Sequence, residues 1–223
     1  MNLVNRVVPF LAVLLLLSGC AWFGKDGNEK QAPELVQEGI ASYDRGNYKD
    51  ALAAFGQLKD WYPFSKYAIL AELKIADSHY HLQDYPEAIA AYEEFERLHP
   101  LNEATPYVVY QIGLCYYEQI DSIDRDQTAA RKALDTFRRL SRQYPNDSFA
   151  RRAEGHIVPC LQNLAGHEFY VGQFYFKQKF YGAALQRFRA VVNQYPDVGY
   201  HARALQYIAE CEAYKPLNNL VAQ

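Results

Sequence analysis

The sequence predicts an all-α fold, a solenoid of about five stacked helix hairpins of which the last is incomplete. The first observation is a repeat at a constant offset of 37 positions, in which Gly39, Tyr43, Tyr48, Ala51, Phe55 and Pro63 return as Ala76, Tyr80, Tyr85, Ala88, Tyr92 and Pro100. The second observation is the type of residue that repeats: small residues where helices cross, aromatic residues between them and a proline at the end. A single hairpin of this kind cannot bury its apolar face, so its neighbours must stack on it.

Two further copies extend the repeat towards the C-terminus. The third comprises Gly113, Tyr117, Ala133, Phe137 and Pro145, with eight extra residues between its halves, and the fourth comprises Gly172, Phe176, Tyr181, Ala184, Phe188 and Pro196. This period and residue set are typical of tetratricopeptide repeats, whose stacked hairpins present an extended binding surface. The sequence therefore favours a scaffold or binding protein.

The helix positions follow from the repeat and from its capping residues. We place helices at about 33–45, 48–61, 66–82, 85–97, 105–120, 128–143, 148–178, 181–194 and 199–214. Pro33 and Pro86 suit first helical turns, where the missing N–H would have no intrahelical partner. Thr105 followed by Pro106 has the pattern of an N-cap and a first helical residue. The solenoid domain is thus expected over 33–215.

Two prolines affect the C-terminal helices. Gly172 comes fourteen residues later than the repeat places it, which adds about four helical turns and predicts one long helix over 148–178. Pro159 within that helix is expected to kink or interrupt it, because proline removes a backbone donor and clashes with the preceding turn. The last helix is expected to end before Pro216, which leaves a frayed tail at 216–223.

The N-terminal residues are expected to be a processing segment outside the fold. Arg6 precedes an apolar stretch at 7–17, which is too short to span a bilayer of about 30 Å as a mature helix. Residues 17–20, Leu-Ser-Gly-Cys, resemble the lipobox of bacterial lipoproteins, and Ala21 after the cysteine resembles an outer-membrane address. We expect a signal peptide (1–19), a cysteine acylated with fatty acids such as palmitate (Cys20) and a flexible linker (20–32). A plain secretory signal is the alternative.

Charge is spread unevenly along a chain whose formal net charge is −3, a value that does not favour nucleic-acid binding. The segment from Glu38 to Glu103 carries twelve acidic and six basic residues. The segment from Arg125 to Lys215 carries fourteen basic and eight acidic residues. Either the two halves hold partners of opposite charge, or these residues form solvated helix faces.

The sequence contains no recognised catalytic or cofactor motif, since GxSxG, Walker and HExxH patterns are all missing. Asp77, His79 and His81 are neighbours, but positions two apart on a helix do not share a face. We expect neither catalysis nor a metal or cofactor. Besides Cys20 there is an odd number of cysteines without CxxC spacing, which fits buried apolar positions better than a disulfide or zinc site: Cys115, Cys160 and Cys211.

Aromatic residues outside the repeat register indicate a binding site at the end of the first hairpin, where Trp61, Tyr62 and Phe64 cluster. Tyr62 aligns with His99, Tyr144 and Tyr195, so its alternative role is repeated packing at a helix end. Phe64 has no aromatic counterpart in the other repeats. An exposed aromatic residue at the rim of a solenoid suits an extended peptide that itself carries aromatic residues.

The elongated loop of the third hairpin, residues 121–127, is a second candidate. Loops carry function more often than the elements they join, so this loop is a candidate contact site. A solvated decoration without function is the alternative.

Several motifs together resemble one protein family. They are Tyr62-Pro63-Phe64-Ser65, Asp124-Arg125-Asp126 with Ala130 and Ala133, Tyr144-Pro145-Asn146, Tyr195-Pro196-Asp197, and Leu164-Ala165 with Glu168 in the long helix. From the lipobox through most of its length the chain resembles the BamD (ComL) family, tetratricopeptide lipoproteins of the outer-membrane β-barrel assembly machinery. It departs from the family pattern at Gln127, where proline is usual, and in its shorter insertion.

The resemblance implies a periplasmic adaptor anchored to the outer membrane. Its C-terminal repeats would bind the POTRA domains of the barrel-forming assembly protein, its N-terminal repeats would receive unfolded outer-membrane proteins, and other assembly lipoproteins would bind as well. Carried over by position, the candidate residues are Tyr62 and Phe64 for substrate, and Arg187 with Asp124, Arg125 and Asp126 for the partner interface. The alternative is another envelope scaffold, for secretin or pilus biogenesis or for recruiting cell-wall enzymes, and the insertion and long helix argue against it.

Overall fold

A computed structural model describes residues 30–221, with side chains described through Tyr214. All regular secondary structure in this range is α-helical, as the sequence predicts. The helices are α1 (Ala32–Asp44), α2 (Tyr48–Trp61), α3 (Ala68–His81), α4 (Tyr85–Leu98), α5 (Thr105–Tyr117), α6 (Thr128–Gln143), α7 (Ser148–Lys177), α8 (Tyr181–Gln194) and α9 (His201–Val221). Among these residues no helix is both long and apolar enough to cross a bilayer.

Consecutive helices pack against each other along the whole array, which confirms the helical solenoid. Within each hairpin a small residue on the first helix meets an aromatic ring on the second. An added Cβ would lie 2.7 Å from the Phe55 ring at Gly39 and 2.7 Å from the Phe188 ring at Gly172. Such a distance is shorter than a carbon–carbon contact allows, so glycine lets the two helices approach. The register read from the sequence is therefore correct.

The buried apolar residues form four clusters, and each cluster draws on three consecutive helices. The aromatic ring of the repeat lies in every one of them and is fully buried: Phe55, Tyr92, Phe137 and Phe188. Burying a side chain of this size stabilises the fold by about 1.5–3 kcal/mol relative to leaving it in water. Because each cluster joins one hairpin to the next, no hairpin has a core of its own.

Helix ends agree with the predicted positions to within about three residues, except at the C-terminal end of α9. The structure corrects the prediction that this helix ends before Pro216, since α9 continues to Val221. Proline lacks only its own N–H, so residues after it can still bond to carbonyls four positions back. Likewise α7 is one helix of 30 residues that runs through Pro159 without interruption.

The three cysteines predicted to be apolar packing residues are buried and free: Cys115, Cys160 and Cys211. Burial raises the pKa of the Cys115 thiol to about 12 and that of the Cys160 thiol to about 11. Both thiols are therefore uncharged at neutral pH and act as small apolar side chains.

Candidate functional site

The first candidate surface is the turn that joins α2 to α3. Tyr62 N–H donates to the Leu58 carbonyl at 2.9 Å, and Ser65 N–H donates to the Tyr62 carbonyl at 3.0 Å. These bonds hold the turn rigidly, and the side chain between them, Phe64, is 101% exposed. Trp61, the last residue of α2, is 50% exposed. Two large aromatic side chains are thus presented to solvent on a fixed backbone; we call Trp61 and Phe64 the aromatic rim.

The structure separates Phe64 from the other predicted substrate residue, Tyr62. The Tyr62 ring packs against the core of the first hairpin, and its hydroxyl donates to the Lys30 carbonyl at 3.1 Å. Its backbone angles, φ −132° and ψ 52°, recur at His99 and Tyr144, which end the second helices of later hairpins. This geometry supports the helix-end packing role for Tyr62 and leaves Phe64 as the accessible residue.

The turn between α4 and α5 repeats the first turn in detail. His99 N–H donates to Phe95 O at 2.8 Å, and Asn102 N–H donates to His99 O at 3.0 Å. Leu101, at the position of Phe64, is 98% exposed, and Leu98, at the position of Trp61, is 45% exposed. Sequence reasoning missed this second apolar pair because it asked only for aromatic residues. The 37-residue offset and the apolar side chains were the available signal.

A buried polar network ties the second hairpin to the third at Asp77, whose side chain is 3% exposed. Its Oδ1 accepts hydrogen bonds from the hydroxyls of Tyr92 and Tyr107, both at 2.7 Å, and its Oδ2 pairs with Lys74 Nζ at 2.9 Å. Burial raises the pKa of both tyrosines, so both hydroxyls stay protonated as donors. Since every oxygen of the carboxylate is bonded, Asp77 is a structural residue here.

The elongated loop after α5 lies against the long helix α7. Asn163 Nδ2 donates to the Asp121 carbonyl at 2.9 Å, and His167 Nδ1 lies 2.6 Å from the Ile123 carbonyl and donates to it. Gln127 is buried, and its amide donates to the Arg125 carbonyl at 3.0 Å. These hydrogen bonds hold the loop against α7.

The three predicted interface residues of this loop have different surroundings. Asp124 accepts a hydrogen bond from Ser122 Oγ at 2.5 Å, and Asp126 accepts one from Thr128 N–H at 2.9 Å. These bonds lower the pKa of both carboxyl groups. Arg125 is exposed and forms no ion pair with the residues that the structure describes. Of the three, Arg125 is the side chain that is open to a partner.

The predicted partner residue Arg187, on α8, is engaged within the chain. Its Nη1 lies 2.9 Å from Oε2 of Glu168 on α7, whose side chain is 12% exposed, whereas that of Arg187 is 44% exposed. Phe180, seven residues before Arg187 and therefore two turns away on the same side, is 62% exposed. It stands where the first two hairpins have Asn47 and Asp84, so an aromatic residue at a polar position was the signal that sequence reasoning missed.

Much of the basic charge in the C-terminal half is also engaged internally. Arg139 forms a two-point ion pair with Glu96, and the Arg152 guanidinium lies 4.9 Å from the centre of the Tyr110 ring. Three exposed arginines on α6 form no ion pair within the described range: Arg131, Arg138 and Arg142. Part of the excess positive charge is therefore exposed along α6, and exposed basic residues such as Lys177 and Lys179 lie outside it.

The predicted acylation site, Cys20, lies outside the described residues and stays a prediction. Within residues 30–214, no group of three or more histidine, cysteine or acidic side chains could hold a metal ion. The accessible features are thus surfaces: the aromatic rim, its aliphatic counterpart one repeat on, and the exposed charges of the C-terminal half.

Comparison with known proteins agrees with this geometry. The family model for YfiO, described as an outer membrane lipoprotein, matches residues 28–221. The outer membrane protein assembly factor BamD of Caulobacter vibrioides is 32% identical over 209 residues, which cover 91% of this chain and 68% of that protein. BamD of Rickettsia prowazekii is 32% identical over 212 residues, covering 94% and 84%, and BamD of Neisseria gonorrhoeae is 27% identical over 231 residues, covering 96% and 86%. The chain therefore belongs to the YfiO family of outer membrane lipoproteins, the BamD family that its motifs resemble.

Proposed function

We propose that this protein is an outer-membrane protein assembly factor that works as an adaptor and not as an enzyme. It holds an unfolded outer-membrane protein at its N-terminal hairpins and the barrel-forming assembly subunit at its C-terminal hairpins. The relatives named as assembly factors support the general role. The observation that most supports the adaptor role is that the Phe64 side chain is fully exposed on a rigid turn.

The substrate side is the aromatic rim. Two exposed aromatic side chains provide apolar area for a partner to cover. Because the backbone of the turn is already fixed, it loses no conformational entropy when the partner binds. An unfolded outer-membrane protein offers extended segments with aromatic residues, and extended peptides bind through such side-chain contacts. Aromatic pairs contribute about 0.5–1.5 kcal/mol beyond the area they bury. Selectivity for aromatic segments follows.

The partner side is the surface that contains Arg187 and Phe180. An exposed aromatic side chain two helical turns from a half-exposed arginine provides residue types that interface centres favour. Because Glu168 holds Arg187 in place, the guanidinium can bind a carboxylate of the POTRA region without first losing rotamer freedom. Arg125 and the exposed arginines of α6 extend this surface with positive charge.

The anchor is Cys20 with its acyl chains. Several acyl chains give stable attachment, since each buried methylene contributes about 0.8 kcal/mol. Attachment confines the solenoid and the barrel-forming subunit to the same membrane surface and raises their effective concentration. Individually weak contacts therefore suffice on both sides.

The substrate side is tested with a peptide that has alternating apolar residues and an aromatic C-terminus. Phe64→Ala is expected to weaken its binding by about 1–2 kcal/mol, roughly five- to thirtyfold in Kd, because the apolar contact is lost. Leu101→Ala is the matched control at the same position of the next turn, and fluorescence anisotropy measures both. Equal Kd for Phe64→Ala and the unmodified protein would remove the rim from the substrate site.

The partner side is tested with a charge exchange that keeps the internal pair. Arg187→Glu places two carboxylates together, so it affects both the fold and any interface. The double variant Arg187→Glu with Glu168→Arg restores an internal pair of reversed orientation. If Arg187 binds the barrel-forming subunit, both variants lose that subunit when the lipidated protein is purified from outer membranes in mild detergent. Recovery in the double variant would mean that Arg187 acts only by holding Glu168.

A further inference from the structure

A pair of side chains four residues apart recurs on the first helix of every hairpin after the first one. It lies 19 and 23 residues after the buried ring of the preceding hairpin, and its second member is 0% exposed each time. Gln111 on α5 donates to the Tyr92 hydroxyl at 3.3 Å, for example. The pair therefore marks where the second helix of one hairpin covers the first helix of the next. The four pairs are Lys74–Ser78, Gln111–Cys115, His156–Cys160 and Tyr207–Cys211.

The long helix α7 contains this pair a second time. Its first pair begins with His156, which stacks on Phe137 and so takes up the ring of the third hairpin. Fourteen residues later, Tyr170 and Phe174 flank Gly172 at two positions on either side, the spacing that the pair has around the repeated small residue in α3 and α5. Tyr170 is 44% exposed and Phe174 is 54% exposed. Within the described residues, the second pair thus lacks the covering helix that the other four pairs have.

The elongated loop covers only the beginning of this side of α7. Asn163 and His167, which hold the loop, share a helix face with Tyr170 and Phe174, because positions i, i+4, i+7 and i+11 align. The loop therefore reaches as far as His167 and leaves the last two turns of the face uncovered. Lys177, at position i+14 of the same face, is exposed as well. We call Tyr170, Phe174 and Lys177 the open face.

The open face is separate from the two surfaces of the proposed adaptor. Glu168, which holds Arg187, lies two residues before Tyr170 and therefore points about 160° away around the axis of α7. The aromatic rim belongs to the first hairpin. The open face is thus a third surface, and its role does not depend on either side of the adaptor.

We propose that an α-helix of a partner protein covers the open face, in the place that the second helix of a preceding hairpin takes elsewhere in the solenoid. At each of the four other pairs the second member is fully buried next to such a helix. The open face continues the same kind of interface, but in the described chain no helix covers it. Covering Tyr170 and Phe174 removes two large apolar side chains from water, which favours association.

The size and charge of the open face define the partner helix. At the other pairs the covering helix supplies the ring and the covered pair ends in serine or cysteine, whereas here the ring of Phe174 lies on α7 itself. The partner helix must therefore present small residues opposite Phe174, because two rings cannot occupy the space of one. Residues 169–196 include four basic and no acidic side chains, so acidic residues beside its apolar stripe would pair with Lys177. The partner is an amphipathic helix with alanine or glycine in its apolar stripe and aspartate or glutamate beside it.

Photo-cross-linking of the full, lipidated chain in native outer membranes tests the proposal. p-Benzoylphenylalanine is placed at position 170 or 174 or, as a matched control, at position 162, where Gln162 is exposed on another side of α7. Positions 170 and 174 are expected to give adducts with one and the same partner protein, at residues three or four apart in its sequence, since a helix presents that spacing. Position 162 is expected to give at least about tenfold less adduct, because the control side chain lies outside the contact.

Several results would overturn the proposal. Adducts at partner residues two apart would identify an extended segment, and adducts at residues distant in sequence would identify a folded surface without such a helix. Adducts with lipid or with a second copy of this chain would assign the open face to the bilayer or to self-association. No adduct at positions 170 and 174, or an equal yield at position 162, would mean that the open face has no specific partner.

A variant that copies another hairpin tests the contribution of the two rings. Tyr170→Lys with Phe174→Ser installs the pair found in α3, and the thermal midpoint measured by circular dichroism is expected to stay unchanged because both side chains are exposed. With p-benzoylphenylalanine at position 177 as the reporter, the yield of the same adduct is expected to fall about tenfold or more, because aromatic side chains supply much of the energy of an interface. Gln162→Ala is the control and is expected to leave the yield unchanged. An undiminished yield in the double variant would show that the rings do not hold the partner, and the proposal would fail.

Discussion

The first two hairpins and the last two use the same inward-facing residues but present different surfaces. Phe55 and Phe137 fill the same position of their repeats, and both are fully buried. On the outside, the turns that follow carry Phe64 and Leu101 in the N-terminal half, but Asn146 after the third hairpin. Repetition therefore identifies the residues that make the solenoid, and departures from repetition identify those available for binding.

The two halves are also held together by different means. Asp77 joins the second hairpin to the third through hydrogen bonds from the Tyr92 and Tyr107 side chains. In the C-terminal half a loop is fastened to α7 by Asn163 and His167, which bond to backbone carbonyls. The N-terminal half thus depends on a buried charge, whereas the C-terminal half depends on one long helix as a support.

The strongest test of this comparison is removal of the repeated ring. Phe55→Ala and Phe137→Ala are each expected to lower the free energy of unfolding by about 3–5 kcal/mol, because each leaves a cavity in an equivalent core. Phe64→Ala, which removes an exposed ring, is the control and is expected to change it by less than about 0.5 kcal/mol. Urea unfolding followed by circular dichroism measures all three. Clearly different losses for Phe55 and Phe137 would show that the two cores are not equivalent.

A second test compares the two buried carboxylates. Asp77→Ala leaves Lys74 and two tyrosine hydroxyls without their acceptor, and we expect a loss of about 3 kcal/mol. Glu168→Ala frees Arg187, which is half exposed and can be hydrated, so a loss of about 1 kcal/mol is expected. The same unfolding measurement applies. A larger loss of unfolding free energy for Glu168→Ala than for Asp77→Ala would contradict the conclusion that the N-terminal half depends more strongly on its buried carboxylate.

Most of the fold could be predicted from the sequence, because the repeat pattern is local. The contact of Gly39 with Phe55 is encoded by residues sixteen positions apart, and such spacings recur visibly. The continuation of α9 past Pro216 could not be predicted from proline alone, since its neighbours can maintain the helix. The candidate site was predicted in part: Phe64 is exposed as expected, and the exposure of Leu101 was not foreseen.

What the sequence left open depends on contacts between distant residues. The docking of the elongated loop joins Asp121 to Asn163, 42 positions away. The pairing of Arg187 with Glu168 depends on how α7 and α8 cross. Neither contact follows a repeat, so no periodic signal marks it. Polar contacts that occur once in a solenoid have to be read from its structure.

The smallest expected effect is a pH dependence that both halves share. His156 stacks on the Phe137 ring, with centroids 5.1 Å apart, and His81 stacks on the Tyr48 ring at 4.5 Å. Burial lowers the pKa of both histidines, opposed at His156 by Glu118 and assisted by Arg152. The unfolded chain takes up protons near pH 6.5 that the folded chain does not, so stability is present above that pH and is lost as the pH falls below it.

His156→Phe keeps the stacked ring but removes the titrating group, whereas the wild-type chain retains both histidines. We therefore expect the thermal midpoint of the variant to fall less than that of the wild type between pH 7.5 and pH 5.5, the range above most carboxyl titration. Differential scanning calorimetry at several pH values measures this difference. Adding His81→Phe is expected to flatten the pH dependence of the thermal midpoint further, which would assign a local contribution to each half. A variant with the full wild-type pH dependence would place the titrating groups elsewhere and leave the two stacked histidines as packing residues only.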